Sequence, residues 1–151
     1  MSRIWAALLL CALSALAAAA EQSADYAGVV KIAKGEVAIE RSGAKPPATP
    51  GARVQSGDRI VTGRDGQVGI TLRDNTLLSA GPNSSLALDE FAFDSTTHAG
   101  AIDASVQRGT VAVVSGKIAQ QSPEAVRFRT PNAILGVRGT SFVIDAGAGE
   151  R

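Results

Sequence analysis

Along most of this chain apolar and polar residues alternate one by one, the period of an extended strand with one buried face. In segment 36–41, Val37 and Ile39 point one way while Glu36, Ala38 and Glu40 point the other. Val68, Ile70 and Leu72 share a face, as do Leu86 and Leu88, and again Ile102, Ala104 and Val106. Segments 28–33 and 59–62 read as further strands and 76–79 as a short one. Segment 126–129 puts Arg127 and Arg129 on one face, Val126 and Phe128 on the other. The run 110–114 is almost continuously apolar, which predicts a strand buried on both sides. Turn dipeptides separate these runs, among them Gly57-Asp58, Asp65-Gly66 and Arg108-Gly109. Segment 42–51, with three prolines and two glycines, reads as a surface loop. Segments 94–100 and 117–124 read as polar loops, the second the most mobile. Turn signals recur about every 8–12 residues, which predicts an all-β fold. It would be an irregular two-layer sandwich or a short solenoid-like stack, and the lack of a strict repeat favours the sandwich.

The start of the chain departs from this pattern. Arg3 precedes an apolar core at 4–16, and Ala17-Ala18-Ala19-Ala20 follows. That layout predicts a signal peptide over 1–20, cut after Ala20. Cys11 follows Leu10, where a lipoprotein signal needs Gly or Ala, so it is not read as a lipidation site. The expected division is signal 1–20, a disordered start at 21–27 and one β domain over 28–151. Cleavage changes the chemistry. Cys11 and Trp5 leave with the leader, so no disulfide or thiol chemistry remains. Loss of Arg3 brings the 15 Lys and Arg residues level with the 14 Asp and Glu, for no net formal charge. That balance points away from nucleic acid and anionic membrane surfaces. The remaining aromatics are Tyr26, Phe91, Phe93, Phe128 and Phe142. Four phenylalanines are about what one core consumes, which leaves few rings for stacking on sugars or bases.

Catalytic groups are sparse. His98 is the only histidine and sits in a polar loop, so neither a zinc site nor a serine triad assembles around it by spacing. Asp89, Glu90 and Asp94 are the candidate carboxylates for acid–base work, by default rather than by pattern. Asp65 and Asp74 lie near turns but outside any calcium-loop spacing. The expectation is a non-enzymatic chain with no cofactor and no metal.

Segment 130–145 is the most informative. Thr130-Pro131 ends a strand, because proline lacks an amide hydrogen and pushes its predecessor to extended geometry. Gly136 and Gly139 bracket a sharp reversal, and Ser-Phe-Val-Ile after it reads as a strand. Arg138 stands at the corner. Its five-donor fork suits pinning of corner carbonyls; the sharper alternative is an anion or partner contact shared with Arg127 and Arg129.

Thr130, Pro131 and Ala133, followed by Gly136, Val137, Arg138, Gly139, Thr140 and Phe142, resemble the hallmark of the FecR domain, a periplasmic β module. Gly57, Asp58 and Gly63 resemble an earlier segment of the same family. The likeness covers 28–145. It implies a periplasmic location, an all-β domain and contact with an envelope protein in signalling. Full-length members regulate extracytoplasmic sigma factors through a cytoplasmic segment, a membrane helix and often a receptor-docking domain. Here the only apolar stretch begins at Ile4, so what carries over is the fold and a partner-binding surface, not sigma regulation. An unpaired edge near 142–144 is the expected docking strand. The alternatives are a glycan-binding domain, which needs exposed rings, and a small glycan hydrolase, which needs converging carboxylates.

Overall fold

The alternating runs become twelve strands: β1 Gly28–Lys34, β2 Val37–Glu40, β3 Arg53–Val54, β4 Arg59–Thr62, β5 Gln67–Leu72, β6 Leu77–Ala80, β7 Ser85–Phe93, β8 Gly100–Arg108, β9 Thr110–Val114, β10 Val126–Thr130, β11 Ala133–Gly136 and β12 Ser141–Asp145. They are seen in a computed structural model that describes residues 26–137 and 139–147. The signal segment, its cleavage position and Arg138 lie outside the described residues.

The strands form two six-stranded sheets, ordered β12-β9-β6-β5-β1-β3 and β11-β10-β8-β7-β4-β2. Together they make the all-β two-layer sandwich, in place of the solenoid-like alternative. The inner faces share one core. Val30, Ile70, Leu72, Leu78, Val111 and Val113 come from the first sheet, and Ile39, Ile60, Leu86, Leu88, Ile102 and Phe128 from the second. Each such side chain contributes about 1.5–3 kcal/mol by leaving water. Neighbouring strands are antiparallel except β8 and β10, which are parallel. A parallel pair needs a crossover. Here β9 crosses to the other sheet, and helix α1 (Lys117–Gln121) with a 3-10 turn (Pro123–Ala125) leads back to β10.

Three expectations are corrected. Segment 110–114 is not buried on both sides: Val111 and Val113 face the core, while Thr110 and Val114 are exposed. One face of its sheet looks to solvent, and composition alone cannot reveal that. Segment 117–124 is not a mobile loop but α1 and the 3-10 turn, with Ile118 fully buried. A buried carboxylate, Asp74, holds it. Thr76 donates to Asp74 from its backbone N at 3.1 Å and its hydroxyl at 2.8 Å, and the Ile118 N–H donates at 3.3 Å. Lys117 N–H donates to the Asp74 carbonyl at 2.8 Å. Finally, Ala27, assigned to a loose start, is buried. Its N–H donates to Val54 O at 2.7 Å, and its carbonyl accepts from Arg73 N at 2.9 Å.

Candidate partner-binding groove

Sheet edges present unpaired backbone groups, and folds must blunt them or use them. On one side of this sandwich both edges are blunted. β3 has two residues. β2 is covered by the proline-rich loop, where Ile39 N–H donates to Pro46 O at 3.4 Å and Ala38 bridges Pro47. The other side ends in β11 and β12, which have no further strand beside them among the described residues. The glycine corner therefore does not close a hairpin within one sheet. It carries the chain from the edge of the second sheet to the edge of the first. Of the two glycines only Gly139 takes a positive φ, 106°. Gly136 lies in β11.

The outward groups of β12 follow from its register. Ser115 N–H donates to Thr140 O at 2.7 Å, and Ala146 N–H donates to Gly109 O at 2.9 Å. In an antiparallel ladder bonded pairs alternate, so Phe142 and Ile144 also bond to β9. The free edge is the backbone of Ser141, Val143 and Asp145. Beside it a groove of about 840 Å³ opens, lined by Ala119, Pro123, Glu124, Leu135, Val137 and Phe142. Phe142 packs edge-on against Phe128, with ring centres 5.6 Å apart. Val137 is buried and anchors the corner. Ser115, which reads in sequence as an ordinary turn serine, ties the corner down: its hydroxyl donates to Gly139 O at 3.2 Å.

The motif residues divide into two groups toward opposite sides of the sandwich. Thr130 pairs with Ala133 across the Pro131-Asn132 turn, and that hairpin leads into Val137, Gly139, Thr140 and Phe142. Gly57, Asp58 and Gly63 flank β4, next to β2 at the far edge. Gly57 has φ 91°, and its N–H donates to Leu88 O at 2.7 Å. Asp58 is buried and accepts from Arg41 Nε at 2.8 Å, Arg41 Nη2 at 2.7 Å and Gln55 N at 2.8 Å. That contact raises the Arg41 pKa above its ordinary value. Gly63 N–H donates to Glu36 O at 2.9 Å. This second group stitches loops together.

The other candidates do not converge on the groove. Arg129 forms a two-point pair with Asp103 at 3.0 and 2.6 Å, which raises its pKa and occupies the charge offered for an anion. Asp94 accepts from Thr96 N at 2.8 Å and Thr97 N at 3.2 Å. Those two amides hold its carboxyl below the usual range, opposite to the shift a general acid near neutrality needs. Protonation of Asp94 should therefore weaken this turn only as pH falls through that depressed value. Amide shifts of Thr96 and Thr97 in an acid titration read this out; a midpoint at or above the ordinary value of about 3.9 contradicts it. Asp89 accepts from the Ser105 hydroxyl, and His98 stacks on Phe93 at 6.1 Å. Phe91 and Phe128 are buried and Phe93 and Phe142 half-buried against the core, so the described residues present no broad platform of rings. Sequence reasoning missed one wall of the groove, Ala119, Pro123 and Glu124. Pro123 at the start of its turn was the only local signal.

Fold and edges define a two-layer β sandwich whose open side lies at its C-terminal strands. The profile of the family described as FecR protein matches residues 58–150, and the chain belongs to that family. The family is one of envelope signalling and regulation. No curated protein and no solved structure gives a significant match to the chain. Among the described residues no helix is long and apolar enough to cross a membrane.

Proposed function

We propose that this chain is a non-enzymatic periplasmic binding module that acts in envelope signalling by taking up an extended segment of an envelope protein along β12. The observation that carries this reading is the pairing of an open edge with an apolar groove, on a sandwich whose opposite edges are blunted. A partner strand gains main-chain hydrogen bonds from Ser141, Val143 and Asp145. Its inward side chains enter the groove over Leu135 and Phe142, and those contacts set specificity. Glu124, the one charged side chain among the described residues of the lining, favours a segment with a basic residue near that end. The motif residues Gly57, Asp58, Gly63, Val137 and Gly139 are assigned structural work, holding the strands that shape the edge. A single domain follows a cleaved leader in this reading.

The Val143 N–H points to the free edge, so Val143→Pro removes a docking donor without removing a bond to β9. Capture of partners from periplasm should fall to background for Val143→Pro and persist for Val143→Thr, with melting little changed in both. Equal recovery by all three proteins sinks the edge reading.

A further inference from the structure

The start of β1 meets the turn after β5 at the end of the first sheet remote from β12, and basic side chains gather there. Arg53 of β3 holds its guanidinium 4.9 Å from the centre of the Tyr26 ring. Arg73, just after β5, lies 5.8 Å from the same ring and 5.6 Å from that of Phe91. Ring faces attract cations, so these contacts hold both forks in place. They do not neutralise them. Neither arginine forms an ion pair among the described residues. Arg73 Nε is the one buried side-chain nitrogen or oxygen among them with no hydrogen-bond partner. A buried donor left without an acceptor is costly, and more so on a charged group.

Beside Arg73 a cavity of about 310 Å³ opens, lined also by Tyr26, Lys31, Asn75, Phe93 and Ser95. Among the described residues its lining holds two cations, several neutral polar groups and no carboxylate. The carboxylates nearest in sequence are committed elsewhere. Asp74 accepts from the Thr76 hydroxyl and the Ile118 amide, and Asp94 accepts from the Thr96 and Thr97 amides. Like charges on a surface normally spread into water. Here two guanidinium groups share one ring with Lys31 close by, and the local positive potential is left for a ligand to balance.

We propose that this cavity binds a phosphate monoester. A carboxylate brings one charge and saturates a single fork. A phosphate monoester brings close to two charges and three acceptor oxygens. Arg73 and Lys31 bind those oxygens from the lining, and Arg53 adds charge through the ring it shares with Arg73. The organic part of the ester rests against Val29 and Phe93, the apolar part of the wall. A soluble ester and a phosphatidate headgroup present the same group, and the test separates them. The site lies across the sheet from β12, so this proposal and the edge reading can each fail without the other.

The test is calorimetric titration of phenyl phosphate into the protein as its host processes it, with Lys31→Met, Arg73→Met and Arg64→Met. Lys31 and Arg64 are both exposed, so neither change disturbs the core, and thermal melting of each variant checks folding. Saturable one-to-one binding is expected. Lys31→Met should weaken it about tenfold or more, and Arg73→Met about a hundredfold. Arg64→Met, a cation of the turn after β4, should leave it unchanged. If Arg73→Met does not fold, Lys31→Met decides. No saturation by phenyl phosphate overturns the proposal. So does an equal loss with Arg64→Met, which would mean diffuse charge, or benzoate binding as tightly, which would assign the site to carboxylates. Asp25 precedes Tyr26 in the sequence and lies outside the described residues. Binding that appears only with Asp25→Asn would make the chain's own carboxylate the occupant and equally overturn it. Flotation with phosphatidate vesicles that Lys31→Met abolishes supports a lipid source; phenyl phosphate binding without flotation supports a soluble ester.

Discussion

Asp58→Ala is expected to destabilise the domain by about 2–4 kcal/mol, read as a lower denaturation midpoint with an unchanged denaturant slope. The carboxylate is buried, and three donors converge on it: two from Arg41 and one from the Gln55 backbone. Removing it strands the Gln55 amide and leaves the guanidinium facing an emptied site. Arg41 keeps about a third of its side-chain exposure, so water recovers part of its charge, and the expected cost sits below that of breaking a fully buried pair. Arg41→Met should cost at least as much, because it leaves a buried carboxylate with a single backbone donor. The double variant Arg41→Met with Asp58→Ala should cost less than the sum of the two changes. Strict additivity, or a loss under about 0.5 kcal/mol for Asp58→Ala, would mean the pair is incidental.

Asp74→Asn is the second large effect, about 1.5–3 kcal/mol, and it bears on the groove. The Thr76 amide, the Thr76 hydroxyl and the Ile118 amide all donate to the two carboxylate oxygens. An asparagine keeps one oxygen and turns an NH2 toward a donor, so a near-isosteric change breaks the arrangement. The α1 backbone is tied to this site, and α1 supplies Ala119 to the groove wall. Hydrogen exchange at the Ile118 amide should accelerate, and partner capture should fall although β12 itself is untouched. Protection at Ile118 equal to that of the unaltered protein would show that α1 is held by packing of its own side chains instead.

The strands were readable because period-two alternation is a local signal. Ile39, Leu86, Leu88, Ile102, Val106 and Phe128 all face the core, as their spacing requires. The helix was not readable for a converse reason. α1 has five residues, no side-chain cap of its own and two buried side chains, Ile118 and Ala119. It persists because an acceptor 44 positions away meets its first turn. The run at 110–114 misled for a similar reason. Val114 is apolar and yet exposed, and its row of neighbours on the outer face comes from strands far apart in sequence.

Of the candidate site, the motif residues and the edge near Phe142 were accessible to sequence, because glycine, proline and β-branched residues constrain the backbone within a few positions. The composition likewise set the charge balance and the shortage of rings. That the opposite edges are blunted was decided only in three dimensions, since it depends on the proline-rich loop covering β2 and on the shortness of β3. The same holds for the corner that switches sheets and for Ser115 tying it down. Local preferences act through neighbouring dihedrals and so are written along the chain. Edges, walls and faces are made by segments that meet only after the core has closed, and pairing across the sheets chooses among the strands that alternation permits.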